Sequence, residues 1–410
     1  MNDGTVSSES SPRLRQSPLD PAFVQDPYPF YADARQHGDF VYWENYERVF
    51  AASYRAVNEI LRSRQWGREI PDEFRPAVPE HQRPFMDIEA DSMLEIDPPR
   101  HTRLRGLVLH AFTPRKIESL VPEIEALAEQ LVSDFNADRV ELLSAFGERL
   151  PVIIIARLLG VPDSMADQLL SWSHDMVAMY QARRDREIEL KASAAAKEFS
   201  EFIRNLARER RQQPGDDLIS RLALAETEEG RLSPGELASS CILLLNAGHE
   251  ATVHTIGNGV KLLLEQAEAG AIDPVACCSE SAVARTVDEI LRFDPPLHIF
   301  DRFAKEDTDC LGRQFRRGDR VGLLLASANR DAAAFGDSAD RFCPDRWPNR
   351  HLSFGAGVHF CLGAPLARIE LAWALKVLFR RFPDIRMVSR TRYANLYHFH
   401  GLEALHVATG

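Results

Sequence analysis

The residues best suited to chemistry lie in Phe354-Gly355-Ala356-Gly357-Val358-His359-Phe360-Cys361-Leu362-Gly363, where three glycines frame one cysteine. Glycine is required where backbone takes a positive φ or approaches a flat ligand closely. Gly363, Ala364 and Pro365 read as the first turn of a helix, a position proline favours. The free amides and dipole of that turn stabilise a thiolate on Cys361. A thiolate held in a glycine loop suits an axial metal ligand. A lone buried cysteine is more often an inert small apolar residue, but that reading leaves the glycine frame without a purpose.

Helical periodicity dominates the elements that must position this loop. It predicts helices near 26–37, 54–62, 99–111, 115–135, 147–159, 163–181, 186–212, 216–225, 279–293 and 362–381. A strand pair is expected over 40–52, with short strands within 297–326, 384–390 and 396–407. Ser233-Pro234-Gly235-Glu236 is a capping-box start, and apolar character then continues to Gln266. That helix would be roughly 50 Å long and apolar on every face, so it belongs in the core. Residues 67–99 carry Pro71, Pro76, Pro79 and Pro84, which interrupt any helix and leave a long irregular segment. The fold class is mainly α with small β-sheets and no βαβ alternation. Residues 1–25 read as a flexible lead-in and 26–410 as one domain.

The 410 residues carry 49 Lys+Arg against 61 Asp+Glu, a net charge of −12, with 45% hydrophobic and 27% charged residues. These are the proportions of a soluble globule large enough to bury its core without staples. The acidic balance argues against a nucleic-acid partner. No apolar run reaches the roughly 18 residues a membrane span requires. Six cysteines, with Cys277 and Cys278 adjacent, make no disulfide framework and indicate a reducing, cytoplasmic location.

Phe354, Gly355, Gly357, His359, Cys361 and Gly363 match the loop F-G-x-G-x-H-x-C-x-G, and on these residues the chain resembles the cytochrome P450 family. Glu289-x-x-Arg292 resembles the family's E-x-x-R pair, with Arg346 in Phe342-Cys-Pro-Asp-Arg346-Trp as its third, structural member. Alone, E-x-x-R is a common helix pair, but here it stands in the family's order. Ala328-Asn-Arg-Asp331 resembles the soluble bacterial branch, and the likeness spans Asp26 to Val407. It implies a long central helix lying across a haem b held by Cys361. His101, Arg105, Arg302 and His359 match the positions that hold the haem propionates. His351 either joins them or caps the loop. The thiolate pushes electron density toward the metal and favours O–O cleavage, while the protein supplies position, protons and dryness.

Ala247-Gly248-His249-Glu250-Ala251-Thr252 is similar to the family's (A/G)-G-x-(D/E)-T helix motif. Gly248 is expected to open the helix for O2, and Glu250 to serve proton delivery. His249 reads as a packing residue. Ala251 departs from the pattern, because the family usually has there a hydroxyl that hydrogen-bonds dioxygen. Thr252 follows one residue later, turned by about 100°. Three readings stay open: a substrate hydroxyl or ordered water delivers the proton, Thr252 reaches through a locally widened helix, or the chemistry depends less on that hydroxyl.

The same resemblance lines the substrate pocket with Phe85, Met86, Leu244, Ala247, Ala251, Leu297, Ile299 and Phe399, a mainly apolar wall. His298 and His400 either orient a substrate oxygen or bond to backbone. The substrate implied is a mid-sized apolar molecule with some oxygen functionality, of terpenoid, polyketide or steroid-like type, hydroxylated or epoxidised with O2. With no flavin or iron–sulfur region, electrons come from a ferredoxin and its reductase. Arg100 and Arg103 either offer that partner positive charge or are scattered surface arginines. No membrane partner is expected. Two rival readings are a haem-thiolate oxidase that couples, desaturates or uses peroxide, and a haem-based sensor or carrier without turnover.

Overall fold

Ser233 starts the longest helix by accepting from the Glu236 amide at 3.1 Å, while the Glu236 carboxylate accepts from the Ser233 amide at 2.9 Å. Both halves of the expected capping box are thus made. The central helix, Pro234–Glu268, then runs 35 residues, long enough to cross the molecule. The α-helices packed most extensively against it are Arg149–Leu159, Arg186–Gln212, Val283–Phe293 and Ala364–Arg381. Arg149–Leu159 carries Val152-Ile153-Ile154-Ile155 and is buried on nearly every face, which places it between neighbours and not at the surface. This is a computed structural model, and it describes residues 11–111, 113–135, 137–181, 184–227, 230–396 and 399–410.

A six-stranded mixed sheet flanks the helices, in the order Arg13–Leu14, Phe40–Trp43, Arg48–Ala51, Arg320–Leu324, Ile299–Ala304, Trp66–Gly67. Its register sets Arg302 opposite Val321, on an interior strand. A smaller sheet joins Arg386–Met387, His406–Ala408 and Arg139–Glu141. The architecture is the mainly α, small-sheet one expected. Among the described residues, no helix is long and apolar enough to cross a membrane.

Three local expectations change. Residues 11–25 are part of the fold and not a loose lead-in. Arg13–Leu14 pairs with the sheet, Trp43 Nε1 donates to the Gln16 carbonyl at 2.7 Å, and Phe23, 4% exposed, packs edge-on against Tyr31 and Trp43. One buried aromatic anchors a segment whose composition suggested flexibility; residues 1–10 lie outside those described. Within 67–99, Pro84 starts a helix, Arg83–Glu89, instead of breaking one, because a first turn needs no proline N–H. The helix expected over 115–135 is split at Leu120, with Pro122 opening the second piece, Val121–Ser133.

Candidate active site

The cysteine loop is closed by two backbone bonds, Gly355 N to Leu352 O at 2.8 Å and Cys361 N to Phe354 O at 2.9 Å. Gly355 and Gly357 hold φ of +69° and +70°, and a Cβ on Gly357 would stand 2.3 Å from the Leu61 carbonyl oxygen. The first two glycines of the frame are therefore required by backbone geometry and by the approach of the Tyr54–Arg62 helix. Gly363 has an ordinary φ of −79° and precedes the Ala364–Arg381 helix. Burial pushes the Cys361 thiol above its ordinary range, and hydrogen bonds from the Gly363 and Ala364 amides, with the charge of Arg105, offset this only in part. The helix start alone does not ionise the sulfur. A bound cation would.

The four expected propionate partners divide into two pairs. Arg302 is 3% exposed and donates to its neighbour's carbonyl, Asp301 O, at 2.9 Å. Burial, then the charge of Arg68, lowers its pKa to about 9. Among the described residues it has no carboxylate in contact. His101 is buried and packs at a tilt of 51° against His359 with ring centroids 4.3 Å apart, and its Nδ1 has no hydrogen-bond partner among the described residues. Burial, then His359 and Arg105, pushes its pKa down to about 4. The other two are engaged. His359 Nε2 meets Asp97 Oδ1 at 3.0 Å, and Arg105 donates to Phe360 O at 2.7 Å. Asp97, which sequence reasoning missed, also accepts from the Arg68 and Glu69 amides at 2.9 and 3.0 Å. No spacing signal marks it; its value comes from the chain folding back on itself.

Glu289, Arg292 and Arg346 meet behind the loop. The Glu289–Arg292 pair is fully buried, bidentate at 2.8 Å, and Arg346 Nε reaches the same carboxylate at 3.0 Å. Arg292 also donates to the Asn329 carbonyl at 2.8 Å, and Asn329 holds the Leu352 amide at 2.7 Å. The ion pair is thereby tied to the segment that presents Cys361. His351 caps this loop: Nδ1 accepts from the Ser353 amide at 3.3 Å, and Nε2 lies 3.4 Å from Asp288.

Leu244, Ala247, Gly248 and Ala251 retain access on one face of the central helix. Their i, i+3, i+4, i+7 spacing is one helical stripe. The helix is unbroken at Gly248, so the expected opening does not occur. Thr252, 3% exposed, donates to Gly248 O at 3.0 Å, and Thr255 donates to Ala251 O at 2.7 Å. An intact helix offers a threonine hydroxyl its own i−4 carbonyl, so Thr252 does not reach through a widened turn. Glu250 is buried off the stripe, with His174 Nε2 at 3.4 Å, His249 Nε2 at 3.5 Å and His254 Nε2 at 3.7 Å. Burial pushes its carboxyl up, but His249 foremost, then His254 and His174, pulls it down to about 2. His249 is thus more than packing, and His174 comes from a different helix, Ala166–Val177, which no sequence spacing signals.

Leu297 and Phe399 pair as a β-bridge and, with Met86, keep partial access. Phe85 and Ile299 are buried, Phe85 against Tyr180. His298 and His400 do not serve a pocket wall. His298 Nδ1 meets the Tyr31 hydroxyl at 3.0 Å; His400 stacks on Tyr393, centroids 3.7 Å apart, and lies 3.5 Å from Asp294. Asp294 accepts from Tyr28 and Tyr393, each at 2.6 Å. Polar groups this deep pair with one another, which draws both histidines inward. Arg100 and Arg103 offer no free charge, since they pair with Asp91 and Glu236.

The family model Cytochrome P450 matches residues 282–391. The chain is 39% identical over 309 residues to the polyketide biosynthesis cytochrome P450 PksS of Bacillus subtilis (strain 168), covering 74% of this chain and 73% of that one. It is 38% identical over 303 residues to 6-deoxyerythronolide B hydroxylase of Saccharopolyspora erythraea, covering 73% and 72%. The crystal structure of P450BioI in complex with an acyl carrier protein ligated to hexadec-9Z-enoic acid matches with a TM-score of 0.88 at 32% identity, over 95% of this chain and 100% of that one. The chain belongs to the cytochrome P450 family. It is a haem-dependent monooxygenase that works on a small molecule with O2 and redox partners. The P450's own residues fit the haem: a partly buried sulfur that a cation would ionise, a buried Arg302 and a His101 nitrogen that lack, respectively, a carboxylate and a hydrogen-bond partner among the described residues, and an open apolar stripe on the central helix.

Proposed function

We propose that this P450 hydroxylates or epoxidises a polyketide-type molecule bearing its own hydroxyl groups, with electrons from a ferredoxin. The observation that carries the reading is the open stripe at Ala251, together with the inward hydroxyls of Thr252 and Thr255. Neither threonine proton faces the pocket, so a substrate hydroxyl or an ordered water must supply it. The relatives named for polyketide biosynthesis and for hydroxylation of 6-deoxyerythronolide B support the substrate class. Cys361 would hold the haem iron, with Arg302 and His101 as the principal propionate partners and Arg105 and His359 as accessory ones. The haem, when bound, supplies the activation of O2.

The chain's other residues do the rest. Leu244, Ala247, Leu297, Met86 and Phe399 present apolar surface that orients substrate and excludes water. Glu250, held at about 2, stays a carboxylate at neutral pH and anchors a relay by accepting hydrogen bonds. The test is Ala251→Thr in the holoenzyme with a hydroxylated macrolactone that shifts the haem spin state. Coupling of electrons to product should change several-fold, and an analogue lacking the hydroxyl should lose coupling in the parent enzyme but regain it in the variant. Unaltered coupling in both comparisons refutes substrate-assisted proton delivery.

A further inference from the structure

The ring nitrogens around Glu250 are arranged as an anchored ligand set. His249 Nδ1 lies 3.0 Å from the Leu245 carbonyl. A carbonyl only accepts, so Nδ1 carries the hydrogen. Nε2 of the same fully buried ring has no hydrogen-bond partner among the described residues and stands 3.5 Å from Glu250 Oε1. A carboxylate also only accepts. Two buried lone pairs that face each other need a cation between them, either a second proton on the ring or a metal ion, and a second ring nitrogen aimed at the same oxygen fits the metal ion. His174 Nε2 points at the same oxygen from 3.4 Å, and the three atoms lie within 4.8 Å of one another. Ligands at about 2.0–2.1 Å from a tetrahedral ion stand about 3.3–3.4 Å apart. The His249–Leu245 bond is the kind of contact that fixes the tautomer and aim of a metal-binding histidine. His254 Nε2, 3.7 Å from Oε2, steers the second carboxylate oxygen. Its ring is held against Gly401, where a Cβ would stand 1.9 Å from Nδ1.

We propose that His174, His249 and Glu250 form a second metal site, separate from the haem, that binds zinc or a similar divalent transition ion with water as the fourth ligand. Two imidazoles and one carboxylate favour such an ion over magnesium or calcium. His174, half exposed, is the entry side, while His249 and Glu250 are buried behind it. The ion ties the Ala166–Val177 helix to the central helix and occupies an oxygen of Glu250.

The test is calorimetric titration of Zn2+ into the holoenzyme after dialysis against a chelator, repeated by competition with a chromophoric zinc indicator. One Zn2+ per chain is expected, with affinity at least tenfold weaker in His174→Ala and in His249→Gln. His81→Ala, which removes a partly buried histidine–carboxylate pair to Glu189 elsewhere in the fold, should bind as the parent does. The ferrous–CO spectrum reports that the haem pocket of each variant is intact. No binding at millimolar Zn2+, or binding that neither cage variant weakens, overturns the site. Binding with the expected pattern supports it whether or not turnover falls, so the metal site and the assigned role of Glu250 are judged separately.

Discussion

Replacing Arg292 with lysine keeps the charge and removes the fork. The guanidinium, fully buried, makes five hydrogen bonds: two to Glu289 at 2.8 Å, and one each to the carbonyls of Asn329 at 2.8 Å, Ala339 at 2.7 Å and Arg341 at 2.9 Å. A lysine has three donors on one atom, so at least two acceptors lose their partner. At about 1–3 kcal/mol for each buried group left unsatisfied, the loss is about 2–6 kcal/mol. Glu289 itself stays partly compensated by Arg346, the Cys343 amide and Asn349. For a chain of 410 residues, an unfolding entropy of about 2.1 cal/mol/K per residue turns that loss into about 2–7 °C of melting temperature. The path from Arg292 through Asn329 to Leu352 also predicts that haem is lost before the helices melt. Thermal unfolding followed in parallel by far-UV circular dichroism and by the Soret band measures both. Arg346→Lys, at a side chain 10% exposed, should cost less, since water can reach part of what it leaves. An Arg292→Lys protein that melts within about 1 °C of the parent, or an Arg346→Lys that is the more damaging of the two, refutes the reasoning.

Further outcomes follow from the same geometry. Cys361→Ala should fold with full helicity yet lack the thiolate-type ferrous–CO band; a retained band would remove Cys361 as ligand. Gly357→Ala should lower haem loading, because a left-handed φ costs about 1–2 kcal/mol before any clash with Leu61, whereas Gly363→Ala meets only ordinary contact at 4.0 Å and should fold as the parent does; equal loading of the two would contradict this. Arg302→Met should speed haem transfer to a haem-free globin while leaving apoprotein stability unchanged or higher, since it removes a buried cation that has no carboxylate in contact; unchanged transfer would take Arg302 off the propionate. Stability should fall on acidification in two stages. His101, held at about 4, is favoured neutral by the fold, so its contribution is complete above the unfolded value of about 6.5 and is lost between there and about 4. Asp97 and Glu250 are depressed carboxyls, whose contribution is lost only at lower pH, for Glu250 down to about 2. Urea midpoints measured against pH should show the first stage shrink in His101→Phe without vanishing, because burial also holds His254, His298, His351, His359 and His400 below the ordinary histidine value; an unchanged first stage would remove His101 from it.

The cysteine loop, the capping box of the central helix and the Glu289–Arg292 pair were legible from residue types at short range. Their geometry is local: a positive φ, a first turn, an i,i+3 contact. That position 251 carries no hydroxyl was legible too, because an alanine shows in the letters. Where each remaining polar side chain points was not. His298 and His400 looked like pocket residues until the fold brought Tyr31, Tyr393 and Asp294 around them. Arg100 and Arg103 read equally as charge for a partner or as scattered surface arginines, until Asp91 and Glu236 were found paired with them. Asp97 and His174 carried no signal at all, and they hold His359 and complete the cage at Glu250. The physical reason is common to all of these. A buried polar group takes the partner that the packed chain places within about 3 Å. That partner is set by elements far apart in sequence, so the order of residues determines the elements and their faces, while tertiary packing decides which charges and hydrogen bonds meet.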